Sequence, residues 1–190
     1  MRTRTTTHRR AALTLLVVSV LTAVAAAPAV ADEIAWSVAP SNNEHGDARP
    51  NYGYQLEPGA VIQDGLEVAN TGEVELTLAV AAADGFTTAN GVLDLVPVTD
   101  PQLDLGAWVV PEVSELTLAP GERVEVPFTL TVPQDAAPGD HTGGIVTIRT
   151  SDAGGTVQLE QRLASRIHVR VPGEQVVTLA VSDLEIDQPA

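Results

Sequence analysis

The sequence predicts an all-β fold, an immunoglobulin-like antiparallel β-sandwich, from two observations. Apolar and mainly polar side chains alternate from Arg123 to Val132, which is the period of a strand with one buried and one solvated face. Turn signals built on Gly, Pro and Asn recur roughly every eight to twelve residues, as is typical of sandwiches. No segment has a convincing helical period, so we expect strands throughout the mature chain.

The first 31 residues have the pattern of a secretory signal peptide. A head with four arginines precedes the apolar run Ala11–Ala26, and Ala29-Val30-Ala31 forms a small-x-small cleavage site before Asp32. The run is shorter than the roughly 20 residues that a membrane span needs, and no later segment is long and apolar enough. We therefore expect a secreted, extracellular protein whose mature chain begins at Asp32 and has no transmembrane span.

The composition of the mature chain excludes several function classes. It has six arginines, no lysine and all 25 acidic residues, which leaves a formal charge of −19. Such a surface repels nucleic acid and anionic lipid, because phosphate contacts need clustered cations. The absence of cysteine excludes disulfides and thiolate chemistry. Arginine without lysine, in a chain rich in alanine and valine, favours a GC-rich bacterial source.

The expected strands follow from alternation between turn signals. In chain order they are 34–38, 52–56, 61–68, 76–83, a hairpin over 86–96 around Asn90-Gly91, 108–110, 116–118, 123–132, 144–150 and 156–171. Pro58-Gly59 and Pro120-Gly121 open their strands in the same way. Asn70-Thr71-Gly72 predicts a tight turn within a meander that continues into 76–83.

The order of these features resembles a known family. The matching stretches are 36–40, N-Y-G-Y-Q-L-E-P-G (51–59), L-E-V-A-N-T-G (66–72), D-G-F-T-T-A-N-G (84–91), the strand at Trp108, 119–133 and A-P-G-D-H-T-G-G-I (137–145). The set is similar to the peptidoglycan-binding domain of WxL-interacting proteins of Gram-positive bacteria, here of an actinobacterial type. The resemblance implies a non-catalytic cell-surface protein that contacts the cell wall, followed in the family by a domain that holds a partner protein and often by an anchor.

The resemblance covers nearly all of residues 32–172, which we expect to form one domain. Residues 173–190 contain a further alternating segment at 175–186. This segment is interpreted either as the first strand of a truncated second domain, which would fray without a packing partner, or as the completion of the first domain.

Three groups of residues are candidates for ligand binding. They are the segment Asn51, Tyr52 and Tyr54; the arginine face Arg162, Arg166, His168 and Arg170 on the last long strand; and His141 in the glycine-rich stretch 139–144. Aromatic rings offer flat apolar faces to sugars, and guanidinium groups grip carboxylates through paired hydrogen bonds. The alternatives are core packing for the aromatics, a solvated and paired face for the arginines, and strand geometry for the glycines.

No catalytic, metal or cofactor site is predicted. The histidines lack ligand spacing, and the serines lack a nucleophile-elbow context. Asp94, Asp100 and Asp104 are better interpreted as solvated acids than as a calcium loop. We expect a non-catalytic protein that binds peptidoglycan or another wall polymer. One alternative is a spacer or adhesion module that contacts another surface protein through a strand edge, and a less favoured one is a wall hydrolase with a carboxylate pair.

Overall fold

The computed structural model describes residues 34–152 and 158–174 and is almost entirely β-structure, as predicted. Its elements are β1 (Trp36–Pro40), β2 (Tyr52–Gln55), β3 (Val61–Asn70), β4 (Leu76–Thr87), β5 (Leu93–Leu95), α1 (Leu105–Trp108), β6 (Val109–Pro111), β7 (Glu115–Leu118), β8 (Arg123–Thr131), β9 (Gly139–Asp152) and β10 (Gln158–Val171).

The strands form the two sheets of an immunoglobulin-like sandwich. The smaller sheet has the order β1-β3-β8-β6 and is antiparallel. The larger sheet has the order β2-β10-β9-β4-β5, with β7 beside the start of β4. Its β2 runs parallel to β10, so the sheet is mixed where the sequence predicted antiparallel pairing alone. Parallel strands are joined by a long crossover connection. The alternation within each strand does not indicate which distant strand it pairs with, so this pair was not predicted.

The core lies between the inner faces of the two sheets. In β8 the predicted alternation is confirmed, since Val126, Phe128 and Leu130 are buried while Arg123 and Glu125 are exposed. The facing sheet contributes apolar residues from four strands: Leu76, Leu78, Val80, Leu118, Ile145, Ile167 and Val169. Burial of each such side chain stabilises the fold by about 1.5–3 kcal/mol relative to exposure.

The two Pro-Gly turns enter β3 and β8 in a reciprocal arrangement. The Gly59 N–H donates to the Val132 carbonyl at 2.9 Å, and the Gly121 N–H donates to the Asn70 carbonyl at 3.1 Å. Each turn therefore closes the far end of the neighbouring antiparallel strand. Both glycines have positive φ, +82° and +75°, where a Cβ would be strained. The repeated sequence pattern reflects this local two-fold relation.

The segment from Asn70 to Gly72 is not the hairpin turn of a meander, and that prediction is wrong. It carries the chain from β3 in the small sheet to β4 in the large one. The buried Asn70 amide donates to the carbonyls of Val74 (2.7 Å) and Leu118 (3.1 Å), while its oxygen accepts from the Gly72 N–H. Its side chain thus joins the connection before β4 to the end of β7, which makes Asn70 a structural residue.

Trp108 ends the one-turn helix α1, although the sequence predicted it to begin a strand. The buried Asp84 carboxylate accepts hydrogen bonds from the N–H groups of Leu103 and Gly106, both at 2.6 Å. These groups at the start of a helix have no partner within it. Asp84, about 20 positions upstream, supplies the partner, and the local periodicity of the sequence does not predict this contact.

Some predictions fall on residues outside the described ranges. These are the signal peptide at 1–31, the segment at 175–186 and the turn at 153–155. Within residues 34–152 and 158–174, no helix has the length and apolar character required to cross a membrane.

Candidate ligand-binding groove

An open groove of about 450 Å³ lies on the outer face of the larger sheet. It is lined by residues of β4, β9 and β10, by the segment around β5 and by the loop before β2: Pro50, Asn51, Ala83, Leu93, Asp94, Leu95, Val96, Val98, Gly143, Val146, Arg162, Ala164 and Arg166. Three of the predicted site residues, Asn51, Arg162 and Arg166, meet there. We call this feature the arginine groove.

Small side chains form the floor of the arginine groove. Ala164 of β10 lies opposite Val146 of β9 in the antiparallel register. Arg162 and Arg166 lie two residues to either side of Ala164, so all three project from the same face of β10. The short alanine side chain leaves open the space between the two guanidinium groups.

The segment 93–98 forms one wall of the arginine groove. It follows the predicted hairpin, in which Thr87 of β4 pairs with Leu93 of β5. The Val96 N–H then donates to the Asp84 carbonyl at 2.8 Å and ties the segment to β4. A Cβ placed on Gly144 would lie 3.4 Å from Leu95, so the wall packs closely against this glycine.

Arg166 is the arginine of the described residues that has no ion pair or side-chain hydrogen bond within them. Four others contact acidic groups, namely Arg49 with Asp64, Arg162 with Glu160, Arg170 with Asp140 at 3.0 Å and Arg123 with Glu67, and Arg149 donates to Gln161. Arg162 and Arg170 are thus exposed and paired, but Glu160 lies on the same strand as Arg162 and the partner of Arg170 across the strands is an aspartate, so neither pair is the predicted cross-strand pair with a glutamate. Arg166 offers an exposed guanidinium group to a ligand in the groove.

A buried ion cluster holds the loop that carries Asn51. Asp64 of β3 accepts from Arg49 Nη1 at 2.7 Å and Nη2 at 2.9 Å, from Asn43 at 2.6 Å and from the Tyr54 hydroxyl at 2.5 Å. Its side chain is fully buried, and that of Arg49 is 12% exposed. Because Arg49 lies two residues before Asn51, this cluster fixes the end of the loop beside the groove.

The electrostatics of the cluster depend on these hydrogen bonds. Burial by itself would raise the pKa of the Asp64 carboxyl, but hydrogen bonds from Arg49, Tyr54 and Asn43 outweigh it and hold that pKa well below its usual range. The hydrogen bond to Asp64 raises the pKa of Arg49. Burial, together with the hydrogen bond to the carboxylate, raises the pKa of the Tyr54 phenol. The cluster is therefore a stable ion pair at neutral pH.

The two tyrosines predicted beside Asn51 point away from the groove. Tyr52 is fully buried, packs edge-on against Phe128 at a centroid distance of 5.2 Å and donates its hydroxyl to the Gly65 carbonyl at 2.7 Å. Tyr54 contacts Asp64 and is part of the ion cluster. The alternative of core packing describes both residues, and neither ring is placed to contact a ligand in the groove.

The remaining predicted residues lie apart from the groove. His141 has Asp104 Oδ1 2.6 Å from its Nδ1 and the Ala137 carbonyl 2.8 Å from its Nε2, and its ring packs on Trp108 at 4.5 Å. His168 is half-buried on β10, and Arg170 pairs with Asp140. None of these three residues lines the groove, which leaves Arg162, Arg166 and Asn51 as the candidates that converge on one cavity.

Sequence reasoning missed the wall residues Asp94, Leu95, Val96 and Val98. The Asn90-Gly91 signal predicted the hairpin but not that the chain after it lies against the sheet face. The resulting groove combines two guanidinium groups and an amide with aliphatic side chains and one carboxylate. It can bind an anion that also presents small apolar groups.

No family model matches the chain, and no curated protein matches it. Among solved structures, the chain is similar to a family 123 glycoside hydrolase from Clostridium perfringens, described for glycolipid glycan hydrolysis, at 12% identity and a TM-score of 0.49. The match covers 75% of this chain and 28% of that one.

Two further matches contain chaperones of pilus assembly. The CsuC-CsuE chaperone-tip adhesion subunit complex of Acinetobacter baumannii matches at 10% identity and a TM-score of 0.45, over 73% of this chain and 58% of that one. The chaperone-tip adhesin complex of CFA/I fimbriae matches at 12% identity and a TM-score of 0.43, over 77% and 60%. The chain thus spans less than two thirds of each of these three structures, and identities this low carry no functional argument.

Proposed function

We propose that this protein is a non-catalytic, secreted cell-surface module that binds the peptidoglycan of the cell wall through the arginine groove. The observation that carries the proposal is the convergence of Arg162, Arg166 and Asn51 on one cavity. The choice of ligand rests on the order of sequence motifs, which resembles that of wall-binding domains.

Charge supports an anionic ligand at this place. The mature chain is strongly acidic, so anions are repelled from most of its surface. Two of the six arginines of the mature chain, Arg162 and Arg166, line the groove. Their Cα atoms are about 13 Å apart, because four residues separate them along a strand. Guanidinium groups bind carboxylates in a fixed, paired geometry, and the peptides of the wall present carboxylates.

The lining of the groove favours binding over glycoside hydrolysis. Hydrolysis of this kind uses a pair of carboxyl groups on either side of the scissile bond. Within the described part of the chain, the groove is lined by one carboxylate, Asp94, together with amide, guanidinium and aliphatic groups. This composition is consistent with holding a wall polymer without cleaving it.

We expect the purified protein to pellet with peptidoglycan sacculi in a saturable manner, and to do so less as salt rises. The Debye length is about 10 Å at 0.1 M ionic strength and becomes shorter as salt rises. The attraction between the two exposed arginines and an anionic wall should therefore be weaker at 0.5 M than at 0.1 M. Co-sedimentation at a series of salt concentrations measures this. Absence of pelleting at every salt concentration would refute wall binding and favour the spacer module that contacts another protein.

Reversing the charge of Arg166 tests the groove itself. We expect Arg166→Glu to weaken sacculus binding by about ten-fold or more, because a paired attraction becomes a repulsion. Arg123→Glu is the matched control, since it makes the same charge change at an exposed arginine on the other sheet. We expect the thermal stability of Arg166→Glu to stay close to wild type. Equal loss of binding in both variants would show a general charge effect and rule out the groove.

A further inference from the structure

Among residues 34–152 and 158–174, the lining of the arginine groove is aliphatic and includes no aromatic side chain. Its apolar lining comes from Leu95, Val96, Val98, Val146 and neighbouring small residues. Sugar-binding sites use the flat face of an aromatic ring, which stacks on the apolar face of a pyranose. Phe86 is the most exposed aromatic in the described part of the chain, at 43%, and it does not line the groove. The walls suit methyl and methylene groups better than sugar rings.

The groove also borders an open edge of β10. Of the described strands, β9 pairs along one edge of β10, and β2 pairs with the other edge at Ile167–Arg170. On that second edge the Leu56 N–H donates to the Arg170 carbonyl at 3.0 Å. Alternate residues of a strand direct their main-chain groups to the same side, so those of Arg162 and Ala164, which precede the first pair with β2 at Ile167, also point to this edge. No described strand pairs with them, and an extended peptide could use them.

Charges of both signs face the groove. Arg162 and Arg166 lie on β10, while Asp94 lies on the wall formed by the segment 93–98. One oxygen of Asp94, Oδ1, accepts the Leu95 N–H at 2.8 Å, which leaves Oδ2 for a cation. This arrangement complements a ligand that has carboxylates along one side and an amino group on the other.

We infer that the arginine groove binds the peptide of the wall polymer rather than its glycan strand. The ligand class is a short, extended, zwitterionic peptide that lies along β10. Its carboxylates contact Arg162 and Arg166, its amino group contacts Asp94, and its small apolar side chains contact the aliphatic wall. The inference rests on the proposed wall binding and narrows it to one part of the polymer.

The test compares the two halves of the polymer as soluble ligands. Sacculi are cleaved with an amidase that separates peptides from glycan, and each fraction is titrated into the purified protein by calorimetry and used to compete with pelleting of intact sacculi. We expect the peptides to bind and to displace the protein, and the glycan strands to do neither. Binding of the glycan without binding of the peptides would overturn the inference and leave wall binding in place.

The other outcomes are equally distinct. Failure of both pelleting and peptide binding would overturn the inference and the proposed function together. Binding of free peptides without pelleting of the protein would support a peptide as the ligand. It would also show that the intact wall is not where the protein meets that peptide, which would overturn the proposed wall binding. Sacculi stripped of phosphate-bearing polymers with acid form a further arm, because loss of pelleting after stripping would identify a phosphate polymer as the ligand and overturn the inference.

Asp94 provides a test that a general charge effect cannot mimic. Acetylation of the peptide amino groups is expected to weaken binding to the wild-type protein by about two- to five-fold, as for loss of an exposed ion pair. The same acetylation should leave binding to Asp94→Asn unchanged, because the partner is already absent. Asp100→Asn, which removes an exposed carboxylate outside the groove lining, is the control and should respond as wild type does. If acetylation weakened peptide binding equally in all three proteins, the proposed contact between Asp94 and the peptide amino group would be wrong.

Discussion

Replacement of Asp64 by asparagine is expected to lower the free energy of unfolding by about 3–5 kcal/mol, because it leaves the nearly buried Arg49 guanidinium without its counter-charge. Asparagine has almost the same shape as aspartate, so the loss reports charge and hydrogen bonding rather than volume. The four side-chain donations that Asp64 accepts would lose a charged acceptor. Urea unfolding at pH 7 measures the change.

Asp47→Asn is the matched control for this substitution, since Asp47 is exposed in the loop that carries Arg49. Its effect on stability should stay within about 0.5 kcal/mol. The double variant Asp64→Asn/Arg49→Met removes both charges and should be less destabilised than the sum of the single changes. If Asp64→Asn were as stable as Asp47→Asn, the ion pair would be of no consequence for stability.

The same ion pair makes stability depend on acid. The pKa of Asp64 is lower in the folded protein than its unfolded value of about 4, so its contribution is complete above pH 4 and is lost as pH falls below that value. The stability of the wild-type protein should therefore fall more steeply between pH 4 and 2 than that of Asp64→Asn. The difference in slope approaches about 1.4 kcal/mol per pH unit, the value for one proton.

Gly143→Ala is expected to destabilise the protein by about 1–3 kcal/mol through overpacking. A Cβ at this position would lie 2.5 Å from the Ala83 carbonyl oxygen and 3.2 Å from Leu105. The first neighbour is backbone of β4 and cannot move without disturbing its pairing with β9. The sequence interpretation that strand geometry explains the glycines at 139–144 agrees with this contact.

Gly53→Ala is the control for Gly143→Ala. Gly53 also lies in a strand, β2, but a Cβ there would have no neighbour within 4 Å. The alanine should be neutral or slightly stabilising, because it restricts the unfolded chain without a clash. Thermal unfolding of both variants measures the contrast. Equal melting temperatures would show that the β4–β9 contact can relax at no cost.

Local alternation was sufficient for most strands. In β8 the spacing of Val126, Phe128 and Leu130 determines which face is buried, because side chains of a strand alternate between its two faces. The same parity argument placed Arg162 and Arg166 on one face of β10. Register with a distant strand, by contrast, is set by pairing, so the parallel β2–β10 pair and the crossover at Asn70 were not predicted.

The candidate site was predicted in part for the same reason. Arg162, Arg166 and Asn51 were identified as residues, but their meeting in one cavity depends on the ion pair of Arg49 with Asp64 and on the wall at 93–98. Tyr52 shares a strand with Tyr54 and has the same parity, yet it faces the core while Tyr54 meets a carboxylate. These outcomes depend on what the opposite sheet presents, which the local pattern does not contain.

By itself, the sequence determined that this protein is an all-β sandwich with two Pro-Gly strand entries and a row of cations on its last described strand. Those features depend on side-chain alternation and turn chemistry, which act over a few residues. Only the tertiary structure decided which cations line a groove, which carboxylates are buried and which aromatics are core. Each of these depends on contacts between residues far apart in the chain, where packing and desolvation act.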